Sequence, residues 1–509
     1  MGVGRAHAVA LLGLDGSPVE IEADTASGLP AFVLVGLPDA ALGEAKARVR
    51  SAIGNSGFDF PGGRVTVNLS PASLPKTGSA FDLGIALALL AAEGWVSPES
   101  VTGVIHLGEL GLDGRLRPCR GILPMVLAAE RAGFDTVLVP AGNADEASFV
   151  PGMRVVAVAS LREAAIWHGA EIEPVEVEPL LPSAAPEFDD DAGDLSEVVG
   201  NRDAVEAVQL AAAGGHHMFL LGPPGAGKTM IASRLPGILP DLDERAAIEV
   251  SSIRSLAGMP VGRSLAIRPP LEAPHHSASP AAIVGGGSGV IRPGAAARAA
   301  HGILFLDEAP EFAPSALDCL RQPLESGVIT ISRAAATASF PARFQLVLAA
   351  NPCPCGNAGV RDAECTCTPF ARRRYLGRLS GPLLDRVDIR LDVPRVTAAQ
   401  LRVGADAPAT TSAAARERVL EARARAARRL AGSPWRLNAH VAGRWLRSEG
   451  APASGATAAL DRALERGALT MRGYDRVLRL AWTFADLDGI DRPGLDQIGR
   501  ALYLRKAAA

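Results

Sequence analysis

Apolar and polar positions follow two different periods through the first third of the chain. Val65-Thr66-Val67-Asn68-Leu69, Val101 to Leu107 and Thr136-Val137-Leu138-Val139 are short apolar runs of strand type. Leu83 to Ala92 and Met125 to Ala132 are longer, rich in Ala and Leu, and read as helices. Strands alternating with helices predict an α/β unit. The pattern then breaks. Between Glu171 and Glu197 there are ten Asp or Glu residues and no Lys or Arg, and Pro174, Pro179, Pro182 and Pro186 punctuate the span. Such a stretch repels itself and buries little, so it reads as a linker. A second α/β region follows, to about Val393. Its strands are almost wholly apolar: Met218-Phe219-Leu220-Leu221, Ile303-Leu304-Phe305-Leu306 and Gln345-Leu346-Val347-Leu348-Ala349. Runs this apolar suit a parallel sheet covered on both faces. Beyond it the chain is rich in Ala, Arg and Leu and reads as helical. The expected division is 1–170, a linker 171–196, 197–395 and 396–509.

Composition adds little against this picture. The chain has 509 residues, 48% of them hydrophobic, and a formal net charge of -4. Global charge therefore argues neither for nor against a nucleic-acid partner; such a site would be a local patch. Apolar runs are interrupted before the roughly 18 residues of a membrane span. Met1 to Val9 lacks the pattern of a signal peptide. A soluble, cytoplasmic protein is the expectation, and its six cysteines are read as those of a reducing compartment.

One segment carries specific chemistry. Gly222-Pro223-Pro224-Gly225-Ala226-Gly227-Lys228-Thr229 fits G-x-x-x-x-G-K-[ST], with an apolar strand before it and a helical pattern, Met230 to Leu235, after it. In that context the glycines let backbone N–H groups turn toward phosphates. Lys228 offers charge to the outer phosphates, and the Thr229 hydroxyl can ligate magnesium. Downstream, the strand Ile303–Leu306 delivers Asp307 and Glu308 at its end. Asp307 is placed to hold the magnesium and Glu308 to polarise an attacking water. Asn351, at the end of the third apolar strand, can position the same water.

Cys353-Pro354-Cys355 and Cys365-Thr366-Cys367 place four thiols within fifteen residues. Two such pairs across a short turn can hold a tetrahedral ion, with zinc the leading candidate and an iron–sulfur cluster the alternative. Cys119 and Cys319 stand alone in apolar settings and read as packing residues. Arg372-Arg373-Arg374 and Arg378 follow the cysteines, and Arg416, Arg418, Arg423, Arg425, Arg428 and Arg429 crowd one predicted helix. Arginine forks suit phosphates, although a solvated or interface face carries the same pattern. Aromatic residues make up only 4% of the chain, so base stacking is not an evident mode.

Together these residues resemble the magnesium chelatase-like branch of AAA+ ATPases, and within it the YifB/ComM group. The likeness includes Asp194 to Gly200, Ala211 to His216, Ala273-Pro274-His275-His276-Ser277-Ala278-Ser279, Gly285 to Gly287, and Gly381-Pro382-Leu383-Leu384-Asp385-Arg386-Val387-Asp388. The resemblance implies a parallel-sheet P-loop domain with a C-terminal helical lid, ATP and magnesium as cofactors, and a homohexameric ring. It implies that Arg386 is an arginine finger reaching the adjacent subunit's γ-phosphate. It implies that Arg472 is a second sensor on the ATP of its own subunit. It also implies DNA as partner, since the ComM group is similar to hexameric helicases that drive branch migration. Two places depart from the family pattern. A basic or aromatic residue is usual near Leu271-Glu272, and the run Gly294 to His301 lacks the family's glutamate.

The front region resembles the Lon protease domain, through Pro75 to Asp82, Gly108 to Pro118, Gly121 and Leu127 to Gly133. Position by position, the nucleophile falls on Ala80 and the lysine base on Leu123, and neither side chain can do that chemistry. A shifted pair, Ser79 with Lys76, is the residual protease reading. The other rival is a chelatase motor subunit, which the ATPase part alone resembles.

Overall fold

The computed structural model describes residues 2–36, 40–181, 193–262, 264–287, 291–333, 337–359, 364–397, 400 and 409–506. The first α/β unit is built on a seven-stranded sheet. Its strands are β1 (Val3–Leu12), β2 (Asp15–Ala26), β3 (Ala31–Val35), β4 (Arg64–Ser70), β5 (Ile105–His106), β6 (Thr136–Pro140) and β7 (Arg154–Val158), in the order β3-β4-β2-β1-β5-β6-β7. β1 and β2 pair antiparallel, as do β2 and β4; the remaining neighbours run parallel. Helix α1 (Asp82–Ala92) lies against β1 and β2 and is buried from Asp82 to Ala91; it is apolar from Leu83 on, and the buried Asp82 pairs with Arg48 at 2.6 Å. Helix α2 (Ile122–Arg131) covers the same sheet.

Most of the expected elements form, but Val101 to Leu107 does not make one strand. Residues Pro98–Thr102 are helical, and only Ile105–His106 enter the sheet. Ser97 accepts from the Ser100 N–H at 3.3 Å, and Pro98 stands in the first helical turn. A capped, proline-led start outweighs the strand preference of the apolar residues behind it.

Residues 171–181 form no helix or strand, and 182–192 of the expected linker lie outside the described residues. The second sheet has five strands, β8 (Met218–Leu221), β9 (Leu271–Glu272), β10 (Ile303–Leu306), β11 (Gln345–Ala350) and β12 (Ile389–Asp392). They are ordered β9-β10-β11-β8-β12, every pair parallel. β10 and β11 are buried at every residue, which is why they are apolar apart from Gln345, whose amide donates to the His216 carbonyl at 2.6 Å. Helices α3 (Arg202–Gly214), α4 (Lys228–Ile238) and α5 (Glu244–Ala257) accompany this sheet. The C-terminal helices α6 (Ser412–Arg429), α7 (Met471–Asp488) and α8 (Leu495–Lys506) share one apolar core with α3, α4, β8 and β12. Among the described residues no helix is long and apolar enough to cross a membrane.

The two α/β units touch. Leu11 packs into the cores of both, and Leu12 and Leu14 join the second. The Gly121 N–H donates to the Ser255 carbonyl of α5 at 3.1 Å. Beside this contact Glu146 is buried, with the Asn143 amide donating to it at 2.7 Å. Burial pushes its carboxyl up to about 7, from 4.5 for an exposed glutamate. The folded chain thus holds a proton that the unfolded chain releases. The resulting stabilisation is present below the unfolded value and is lost as pH rises through about 7. From pH 5 to pH 8 the stability of Glu146→Gln should therefore gain about 2 kcal/mol on the native chain, read by urea denaturation. Parallel pH profiles for the two proteins would refute the assignment.

Candidate active site

β8 runs directly into Gly222, and the phosphate-type loop leads into α4. Gly225 and Gly227 have φ of +76° and +87°, in the left-handed region where a side chain is strained. Gly227 is the N-cap of α4 and supplies no capping side chain, so the first-turn N–H groups stay available to an anion. Lys228 is largely buried and spends its three ammonium hydrogens on three oxygens. They are the carbonyls of Gly222 at 2.6 Å and Pro223 at 3.0 Å, and Asn351 Oδ1 at 3.1 Å. Burial lowers its pKa, while Asp307 and Glu308 act to raise it.

Asp307, Glu308 and Asn351 sit where the parallel strands end, the edge at which open α/β sheets bind ligands. The Thr229 hydroxyl donates to Asp307 Oδ2 at 2.6 Å. These two hard oxygens stand together, a pair that could hold a magnesium ion. Glu308 has φ of +50° and its N–H donates to Asp307 Oδ1 at 2.8 Å. A non-glycine residue there stores about 1–3 kcal/mol of strain. Glu308 Oε2 lies 3.4 Å from His276 Nδ1. In sequence His276 is only one residue of the run Ala273 to Ser279, and no spacing rule ties it to Glu308.

Family models match three stretches of this chain: magnesium chelatase, subunit ChlI, over 194–401; subunit ChlI of Mg-chelatase over 21–143; and the ChlI C-terminal region over 409–505. The chain is 40% identical over 507 residues to the competence protein ComM of Haemophilus influenzae, covering 99% of this chain and 98% of that one. The chain belongs to the ComM/YifB family of magnesium chelatase-like AAA+ ATPases. The YifB protein of Escherichia coli is 38% identical over 495 residues, 96% of this chain and 94% of its own. A Mycobacterium tuberculosis protein is 50% identical over the full length of both chains. A Lon protease of Mycolicibacterium smegmatis is 30% identical over 155 residues, 29% of this chain and 20% of that protein.

In this ComM/YifB chain the two candidate arginines form a group of their own. Arg386 pairs with Glu325, and Arg472 reaches Asp385 Oδ2 at 3.3 Å. Burial lowers the pKa of Arg386, and the charges of Arg476, Arg472 and Arg321 lower it further. Arg472 remains 80% exposed despite its contact with Asp385. The two departures from the family pattern face each other: Arg298, within Gly294 to His301, holds Glu272 Oε2 at 2.8 and 3.0 Å.

The Sγ atoms of Cys353, Cys355, Cys365 and Cys367 all lie within 4.8 Å of one another. Three pairs measure 3.3, 3.7 and 3.6 Å. A tetrahedral ion with zinc–sulfur bonds of about 2.3 Å sets its thiolates about 3.8 Å apart. An iron–sulfur cluster spreads its thiolates over several irons and holds them further apart, so a single ion fits better. The Ala358 N–H points at Cys353 Sγ at 3.4 Å. Cys119 and Cys319 are partly buried beside apolar clusters, as expected for packing residues.

Ala80 and Leu123 are buried in the apolar core of the Lon-like unit. The shifted pair does not assemble. Lys76 donates to the Pro71 carbonyl, and Ser79 donates to Glu109.

The arginine-rich helix α6 is also not the open basic track that its sequence suggested. Arg416 pairs with Asp241 at 2.8 Å, and Arg418 reaches Gln209 at 3.2 Å. Arg423 binds the Ala212 carbonyl at 2.6 and 2.9 Å. Arg425 binds the Asp486 carbonyl at 2.7 Å. Arg429 pairs with Asp486 and lies 4.1 Å from the Trp482 ring centre. These side chains hold the helical region together; of the six, Arg428 is exposed. Arg373 and Arg374, after the cysteine loop, are exposed as well, while Arg378 binds the Pro310 carbonyl at 2.9 Å.

Proposed function

We propose that this chain is the subunit of a cytoplasmic homohexameric ring that hydrolyses ATP between neighbouring copies and uses the stroke to remodel DNA as a branch-migration helicase. The observation that carries this reading is the division of the ATP machinery into two groups. Lys228, Thr229, Asp307, Glu308 and Asn351 gather at the loop. Arg386 and Arg472 gather with Arg321 and Arg476. A site whose guanidinium stands apart from its phosphate loop is completed by the next copy, which supplies transition-state charge. Because Arg472 accompanies Arg386, we assign both to the neighbour's nucleotide, in place of the same-subunit contact expected for Arg472.

Lys228 exchanges its three oxygen partners for phosphate oxygens on binding. Thr229 and Asp307 would hold a magnesium ion, which would supply neutralising charge to the phosphates. Glu308 polarises the attacking water and Asn351 orients it. One zinc ion on the four thiolates belongs to the same reading, and its role is structural because no coordination position stays open. A competence protein among the relatives and the exposed Arg373 and Arg374 support DNA as the substrate. The buried Ala80 and Leu123 disfavour an ATP-fed protease.

The test is a branch-migration assay on the native chain, Lys228→Ala and Glu308→Gln. Both variants should fall at least about a hundredfold in turnover. Lys228→Ala should also lose ATP affinity, whereas Glu308→Gln should retain it. A native ATPase that branched and single-stranded DNA fail to stimulate at low salt would defeat the DNA assignment.

A further inference from the structure

The four-thiolate loop lies against the phosphate loop. Asn351, whose side chain accepts from Lys228, comes just before Cys353 in the chain. Between Cys355 and Cys365, Gly356 turns with φ of +77° and closes a hydrogen bond to the Cys353 carbonyl at 2.9 Å. A Cβ on Gly356 would stand 2.5 Å from Cδ and 2.6 Å from Cγ of Pro224, the third residue of the phosphate loop. Pro224 also offers its carbonyl to Arg395 Nε at 3.3 Å. Pro224 is thus touched by both Arg395 and the cysteine turn. None of the described residues from 351 to 367 belongs to a helix or strand. Among the described residues the turn has no ladder of its own; besides the Gly356 hydrogen bond and the Asn357 amide donating to the Glu364 carbonyl at 3.4 Å, what joins its two cysteine pairs is the cluster of sulfurs.

We propose that one tetrahedral divalent ion of the zinc class, held by Cys353, Cys355, Cys365 and Cys367, sets the position of the phosphate loop through the Gly356–Pro224 contact and of Asn351 beside Lys228, so that metal occupancy controls nucleotide affinity. The proposal rests on the ATP reading above and adds to it a control of the same site. With the ion bound, the sulfurs fix both ends of the turn, and Gly356 presses Pro224 into place. Without it, four clustered thiols lose the cation that gathers them. The turn then relaxes, and Pro224 and Asn351 shift relative to the N-terminus of α4. A displacement of about 1 Å in such a cradle is worth about ten- to a hundredfold in function.

The experiment uses the full chain and a fluorescent ATP analogue with magnesium. Metal content is read by mass spectrometry, and the cobalt-grown protein is read by its visible spectrum. The native chain should carry one ion, show the bands of a four-thiolate tetrahedral cobalt site and bind the analogue. The Cys355→Ser/Cys365→Ser double variant should lose the ion and bind the analogue about ten- to a hundredfold more weakly. Gly356→Ala should keep the ion and the cobalt bands yet show the same weakening, independent of whether the double variant folds well. Gly359→Ala is the control: Gly359 has a similar φ of +74°, but no described residue beyond its chain neighbours lies within 4 Å of a Cβ there, and the change should alter neither reading. A native chain without the ion overturns the proposal, as does unchanged nucleotide affinity in both Gly356→Ala and the double variant. A native chain that carries the ion but fails to bind the analogue overturns the ATP reading itself, and the coupling with it.

Discussion

Mixing Lys228→Ala subunits with Arg386→Ala subunits, each inactive alone, should restore about a quarter of native ATP turnover, because a quarter of the interfaces in a random equal mixture pair an intact Lys228 with an intact Arg386. Loss of an arginine finger alone should cost about a thousandfold or more. The prediction follows from the grouping of charges. Lys228 answers to Asp307 and Glu308, whereas Arg386 answers to Arg321, Arg472 and Arg476. The same mixture with Arg472→Ala in place of Arg386→Ala separates the two assignments for that residue. Recovery means that Arg472 serves the neighbour's nucleotide. No recovery means that it serves its own, since every site would then lack either Lys228 or Arg472. The measurement is steady-state ATPase across mixing ratios, with co-assembly checked by light scattering. If Lys228→Ala and Arg386→Ala co-assemble and turnover stays at background, hydrolysis does not occur between copies.

Asp388→Ala should destabilise the chain by about 3–5 kcal/mol, the cost of leaving buried charge without its partner. Asp388 is buried, with Oδ2 2.9 Å from His216 Nδ1 and Oδ1 paired with Arg476. Burial alone would raise its pKa. Arg476, then His216 and Arg479, outweigh burial and hold the carboxyl far below the usual carboxylate range. With the folded value depressed, the stabilisation is present at neutral pH and is lost only as pH falls well into acid. The bolt joins the sheet to the helical region, because His216 Nε2 meets Thr483 Oγ1 of α7 at 2.8 Å and Arg476 lies on the same helix. Arg476 also binds the Arg386 carbonyl at 3.1 Å, so the bolt fixes the backbone at Arg386, the residue proposed as the finger. Asp388→Asn, which keeps the shape without the charge, should lose less stability than Asp388→Ala and still lower turnover. Urea denaturation of the three proteins is the measurement; an unchanged midpoint in Asp388→Ala would show that the carboxylate is not the bolt.

The strands of the second sheet were legible because burial on both faces leaves an unbroken apolar run, and Met218–Leu221 and Ile303–Leu306 form with the bounds their sequence suggests. The phosphate loop was legible for a related reason: its chemistry needs glycines, a lysine and a hydroxyl at adjacent positions, and adjacency is what a sequence displays. Val101 to Leu107 misled because its capping signal lies before the apolar run rather than inside it. The arginines of α6 misled because helical spacing says which residues share a face, not what covers that face. Their acceptors, Ala212, Gln209 and Asp486, come from α3 and α7, distant along the chain. His276 beside Glu308 and Gly356 against Pro224 are contacts of the same kind.

Local placement was therefore readable from the order of residues alone: the glycine-rich loop, the acidic strand end, the four thiols and Ala80 depend on neighbours a few positions away. Which charges remain free and which are consumed as struts was decided by the tertiary structure. A guanidinium or carboxylate acts on whatever stands within a few ångströms, and folding, not sequence distance, chooses that neighbour.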